Sequence, residues 1–118
     1  MKGSISVRAL HAPSLEGNPL GDPATRQTPV YLPPGYEASG AKFPVVYFLH
    51  GFSGSGLGWL NASPFTPTVP ERIDRLIVQG SLPPLIAVVV DGWTALGGSQ
   101  WINSETSGRY QDYVARDV

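Results

Sequence analysis

Apolar and polar positions along the chain change rhythm several times, and each rhythm predicts a different environment. Over Ile5–Leu10 the residues Ile5, Val7 and Ala9 alternate with Ser6, Arg8 and Leu10, a period of two that predicts a half-buried strand with one solvated face. Pro13, Gly17, Pro19, Gly21 and Pro23 then interrupt regular structure, and a short strand pattern resumes over Arg26–Leu32 before Pro33-Pro34-Gly35 closes it. Two antiparallel strands joined by a long loop are expected.

The next segments lose the alternation. Phe43-Pro44-Val45-Val46-Tyr47-Phe48-Leu49 is apolar throughout and rich in β-branched and aromatic residues, which predicts a strand covered on both faces. Leu85-Ile86-Ala87-Val88-Val89-Val90 repeats the pattern and ends in Asp91-Gly92. Between them, Thr68-Val69-Pro70-Glu71 has the spacing of a capping box with proline in the first turn. Val69, Ile73, Leu76 and Ile77 then recur at helical spacing before Gly80. Strand, helix, strand implies a parallel βαβ unit. Tyr110, Tyr113, Val114 and Val118 again fall at helical spacing, so a last helix is expected from about Arg109, with no stop signal before the final residue. Two doubly covered strands demand helices on both faces, and the pattern supplies one helix and the start of another. The expected fold class is α/β: two antiparallel strands leading into the first parallel strands of a mixed sheet.

Composition narrows the function. The 118 residues include 14 glycines and 12 prolines, a loop-rich chain. Yet Leu, Ile, Val and Phe together exceed the fraction of roughly 20% below which a chain stays disordered. Eight basic and nine acidic side chains nearly cancel, so neither a nucleic-acid partner nor an acidic membrane surface is expected. With no cysteine, disulfides, thiolate metal sites and cysteine nucleophiles are excluded. No apolar run approaches the roughly 18 residues of a membrane span, and none at the amino terminus resembles an export signal. The compartment is left open by the sequence: cytoplasmic by the absence of an export signal, secreted if the true start lies upstream.

Candidate chemistry centres on His50-Gly51-Phe52-Ser53-Gly54. A sharp turn at the carboxyl end of a parallel strand, where open α/β sheets place their ligands, can aim backbone N–H groups at an oxyanion. Glycines also make tight turns with no further role. Neither Gly-x-Gly-x-x-Gly nor a Gly-Lys-Ser/Thr phosphate loop is present, which argues against a nucleotide site. A triad drawn from His50, Asp91 and Ser53 is conceivable from proximity, but bracing of the turn by His50 and loop hydrogen bonding by Asp91 are the plainer roles. His11 has no second ligand at metal-binding spacing and reads as a surface histidine. Trp59, Trp93 and Trp101 are candidates to line an aromatic or acyl pocket, or to pack in the interior. Asn61-Ala62-Ser63 matches a glycosylation acceptor, weakened by the following Pro64.

Val30-Tyr31-Leu32-Pro33-Pro34-Gly35-Tyr36, Phe43 to Gly51 and Pro84 to Gly92, in that order and spacing, resemble the opening of an esterase family of α/β-hydrolases. Its relatives include feruloyl esterases, S-formylglutathione hydrolases, siderophore esterases and mycolyltransferases. Asn103-Ser104 and Gly108 to Val114 are similar to the segment leading into the helix before the catalytic serine, so the resemblance spans about residues 26–118. It implies an incomplete α/β-hydrolase fold, with residues 1–118 the amino-terminal part of one domain that stops before the nucleophile elbow. The residue after His-Gly in this family offers its N–H to the oxyanion, a role that would fall to Phe52, with Gly51, Ser53 and Trp101 in the substrate pocket. No serine stands in a Gly-x-Ser-x-Gly elbow, so no catalytic triad is expected in this chain. The implied parent reaction is serine-dependent hydrolysis of a small carboxylic ester, without cofactor or metal, and the chain alone is expected to be inactive and prone to self-association. The alternative is a non-catalytic ligand- or carbohydrate-binding module derived from the same fold.

Overall fold

The computed structural model describes residues 1–118. Its central sheet has the order β1-β2-β4-β3, built from β1 (Ser4–His11), β2 (Thr25–Leu32), β3 (Val45–Leu49) and β4 (Ile86–Val90). β1 and β2 are antiparallel over their full length, Ser4 opposite Leu32 and His11 opposite Thr25. β3 and β4 run parallel, Val45 beside Ile86 through Leu49 beside Val90. The antiparallel pairing of β2 with β4 joins the halves only at Val30–Val88 and Tyr31–Ala87. It stops at Pro29, which has no N–H to donate. The sheet is therefore mixed, as the pattern of alternating and continuous apolar runs implied.

The crossover between β3 and β4 contains the helix α2 (Val69–Val78), which follows the one-turn helix α1 (Tyr36–Ser39). Its start is the expected capping box: the Thr68 hydroxyl accepts the Glu71 N–H at 3.4 Å, and the Glu71 carboxylate accepts the Thr68 N–H at 2.6 Å. Ile73 is buried with Tyr31, Leu85 and Ala87, and Val69 and Ile77 pack around them, so the helix covers one face of the sheet. Asp74, on the same helix, accepts the N–H groups of Lys2 and Gly3 and the Tyr31 hydroxyl, tying the start of β1 to α2. The opposite face is covered by Leu15, Tyr110 and Tyr113 against Val90, with Ala12 beside them.

Three expectations are corrected. β3 is not covered on both faces: Val45, Tyr47 and Leu49 on one side are 43%, 51% and 43% exposed, and on the other Val46 is 37% exposed while Phe48 alone packs inward, beside Trp59 and the cluster around Ile73. It is the edge strand, paired only with β4, and the last helical segment packs over β4 and Leu15 without reaching it. In β1, Val7 and Ala9 are exposed, because β1 is the opposite edge and little packs on its middle. The last helix is short, a single turn α3 (Tyr110–Asp112) running into a π-helical turn over Tyr113–Asp117; a two-residue hairpin of β5 (Asn103–Ser104) and β6 (Gly108–Arg109) precedes it. No helix is long and apolar enough to cross a membrane.

Candidate functional site

Both parallel strands end at the same edge of the sheet, and the loops that follow them face each other across a small pocket of about 80 Å³. One wall is His50, Gly51 and Phe52, the other Gly98, Ser99, Gln100 and Trp101.

His50 ties the two walls together. Its Nε2 accepts the Gly92 N–H at 2.8 Å, which leaves the ring proton on Nδ1, donated to the Gly51 carbonyl at 2.9 Å. The Trp101 indole N–H returns to the His50 carbonyl at 3.0 Å, and the two rings meet edge to face, 5.1 Å between centroids. This closeness requires Gly92, where an added Cβ would stand 2.5 Å from the Trp101 ring. A further clamp runs from the Ser53 N–H to the Gly97 carbonyl at 2.6 Å, and the Phe52 ring lies over Gly97 and Gly98. Every non-glycine residue with positive φ lies in these loops: Ser53 at 62°, Gln100 and Trp101 at 56°. Such conformations cost on the order of 1–3 kcal/mol each and persist where the surroundings over-determine them, typically at ligand sites.

Behind the turn lies a charged network that sequence reasoning did not single out. Arg26, 2% exposed, donates to the Asp91 carboxylate at 3.0 Å, the Trp93 carbonyl at 2.7 Å and the Tyr110 hydroxyl at 2.6 Å. Burial pushes the Tyr110 hydroxyl upward, against the nearby guanidinium, so it stays neutral and accepts. The second Asp91 oxygen accepts the Gly56 N–H at 2.7 Å. Asp91 thus fastens the loop after β3 rather than the one after its own strand, where its place beside glycine had pointed. The only hint of Arg26 in the sequence was an arginine in an otherwise uncharged strand pattern.

No triad forms from His50, Asp91 and Ser53. Nε2 of His50 is 3.9 Å from Asp91 and already engaged by Gly92, while Ser53 is exposed and its hydroxyl bonds to neither. Of the residues expected at the pocket, Gly51, Phe52 and Trp101 line it and Ser53 does not, its backbone being committed to Gly97. The Phe52 N–H has no acceptor within the protein. Trp93 borders a separate cleft with Gln27, Ser55 and Leu57, and Trp59 packs on Phe48 with ring centroids 5.3 Å apart. His11 sits on the surface, bonded to Glu16 and Thr25. No three His, Cys, Asp or Glu side chains cluster as a metal site would require.

No family model matches the sequence. Among solved structures, the chain is similar to a ferulic acid esterase, with a TM-score of 0.74 and 21% identity over 96% of this chain and 40% of that one. It is also similar to a serine-to-alanine mutant of the feruloyl esterase module from Clostridium thermocellum, complexed with sinapinate. The TM-score there is 0.63, at 21% identity over 85% of this chain and 30% of the other. The mixed α/β sheet described above is therefore a fold shared with feruloyl esterases, and the chain spans well under half the length of those it matches.

Proposed function

We propose that this chain is the amino-terminal part of a serine carboxylic-ester hydrolase of the α/β-hydrolase type, and that it supplies half of an oxyanion hole through the Phe52 N–H. The observation that carries the reading is that amide: unpartnered, at the carboxyl end of a parallel strand, in a turn held by His50, Gly92 and Trp101. A donor fixed before the reaction stabilises the developing alkoxide without reorganisation, an effect worth about 10²–10³ in kcat. Hydrolysis would run through an acyl-enzyme: a serine oxygen attacks the ester carbonyl, the alcohol leaves with a proton from a histidine, and water releases the acid. The nucleophile, its acid and its histidine would all come from sequence beyond Val118, so the chain alone is inactive. The free edge of β3 would then receive the strand that carries the nucleophile. Aromatic acyl esters are the first substrates to try, given the activities for which the similar structures are named. The test is to express the reading frame as it continues past Val118 and assay it on a short-chain chromogenic ester and on methyl ferulate. Activity that falls about 10²–10³-fold in kcat with Phe52→Pro, which deletes the N–H, is the expected result. An unaltered kcat would overturn the assignment.

A second reading, a non-catalytic binding module, draws on Trp93. Trp93 is 42% exposed beside a cleft of about 250 Å³ lined also by Gln27, Ser55 and Leu57, a surface on which a sugar or aromatic ring could stack. A stop codon directly after Val118, with saturable quenching of tryptophan fluorescence by such a ligand, would favour it.

A further inference from the structure

The pocket holds a second unpaired donor, on the wall opposite Phe52. Ser99 is only 4% exposed, yet its N–H meets no acceptor in the protein. The Gln100 N–H beside it is also unpaired, but Gln100 is exposed and open to water, and the remaining neighbours are committed. The Gly97 N–H goes to the Thr94 carbonyl at 2.8 Å, the Gly98 N–H to the Thr94 hydroxyl at 3.1 Å, and the Trp101 N–H to the Ser99 hydroxyl at 3.2 Å. Buried backbone N–H groups are nearly always paired, so a buried one on a pocket wall calls for an acceptor from the pocket itself. On the facing wall, Ser53 and Gly54 spend their N–H groups on Gly97 and Gly51, which leaves those of Gly51 and Phe52. No carboxylate side chain lines the space, and the nearest one behind it, Asp91, is paired with Arg26.

We infer that Ser99 is a binding residue, and that its N–H and that of Phe52 together grip one carboxylate group from opposite walls. The inference rests on the reading of Phe52 above and adds a donor from this chain's second loop. Two backbone amides suit a carboxylate, whose two oxygens accept charge-assisted hydrogen bonds. A volume of about 80 Å³ is ample for a carboxylate group. In an ester hydrolase this is where the carboxyl of the released acid would rest, making the pocket a product site as well as a donor to the oxyanion. The left-handed Gln100 and Trp101 hold the loop immediately after Ser99 in a shape that an unconstrained chain avoids.

The test needs no variant. The ¹⁵N-labelled chain is titrated with sodium acetate, with sodium chloride at matched ionic strength as reference, and the amide signals of Phe52 and Ser99 are followed. The expected result is that both move on one saturable curve, with a dissociation constant on the order of millimolar for so small a ligand, and that chloride moves neither. Movement of Phe52 with Ser99 stationary would overturn the inference while leaving the Phe52 reading standing. No movement of either, or equal movement with chloride, would overturn the carboxylate site altogether. As a second measurement, Ser99→Pro, which deletes the donor, is expected to weaken acetate at least about tenfold, provided the remaining amide spectrum shows an intact fold.

Discussion

Replacing Tyr47 with lysine tests what the exposed edge of the sheet does. Tyr47 stands at the centre of β3, half exposed, flanked on the same face by Val45 and Leu49, each 43% exposed, and nothing pairs with the outer side of the strand. An uncharged apolar edge with free N–H and C=O groups is a template for another chain. The chain by itself is therefore expected to self-associate through β3. Covering the exposed half of a tyrosine is worth about 1 kcal/mol on the usual area scale. Burying an ammonium in its place costs several kcal/mol more. At 1.4 kcal/mol per tenfold, association of the Tyr47→Lys chain should weaken by at least about 100-fold. Sedimentation velocity over a concentration series reads this directly. Leu76→Lys is the control, since Leu76 is similarly exposed on α2 and lies away from the edge. A wild-type chain monomeric throughout the series, or a Tyr47→Lys chain that associates as strongly as wild type, would refute the reasoning.

Three further outcomes follow from the network and the turn. Asp91→Ala leaves the guanidinium of Arg26 buried without its carboxylate and should cost about 3–5 kcal/mol in urea unfolding, whereas Arg26→Met with Asp91→Leu should recover much of that loss; equal costs for the single and double variants would contradict the pairing. Burial pushes the Asp74 carboxyl up, but the N–H groups of Lys2 and Gly3, the Tyr31 hydroxyl and the nearby amino terminus outweigh it and hold it below the usual carboxylate range. Its contribution to stability is therefore complete above the unfolded value of about 3.9 and is lost as pH falls through the lower folded value. Asp74→Asn should lower stability at neutral pH and flatten the acid limb of an unfolding-against-pH series, and an acid limb as steep as wild type would contradict this. Gly92→Ala places a methyl inside the Trp101 ring's position and should displace that ring, seen as a changed near-ultraviolet dichroism signal with the far-ultraviolet signal kept; unchanged spectra in both ranges would show that the ring does not rest there.

Much of the architecture was legible because it is written in local chemistry. The capping box at Thr68 and Glu71, with Pro70 beside it, fixes where α2 begins whatever surrounds it. The continuous apolar runs at Val45–Leu49 and Ile86–Val90 predicted the parallel pair, and that pair forms. Those same runs misstated the burial of β3, since an apolar pattern records the surroundings a strand is suited to and the strand here has one neighbour. At the site, the His-Gly turn and Trp101 stood out from residue type and position. Arg26 did not, because its three acceptors lie on Asp91, Trp93 and Tyr110, far away in sequence, and no periodicity encodes such a meeting. Ser99 was equally silent: its interest lies in a backbone N–H, which every residue but proline carries, and in the burial that leaves this one without an acceptor.

The most direct measurement of the central claim is to find where an electrophile aimed at activated serines attaches. A fluorophosphonate is incubated with the 118-residue chain and, separately, with the product of the reading frame continued past Val118, and the modified residue is located by peptide mass spectrometry. Such a reagent needs a serine activated by a histidine and an oxyanion hole to receive its phosphoryl oxygen, so it reports the assembled site rather than the fold. The expected result is no label on the short chain and one label on the longer one, on a serine in a Gly-x-Ser-x-Gly segment beyond Val118, reduced sharply by Phe52→Pro. Label on Ser53 or Ser99 of the short chain, or none on a folded longer product, would contradict the claim that this chain carries half of a serine esterase site.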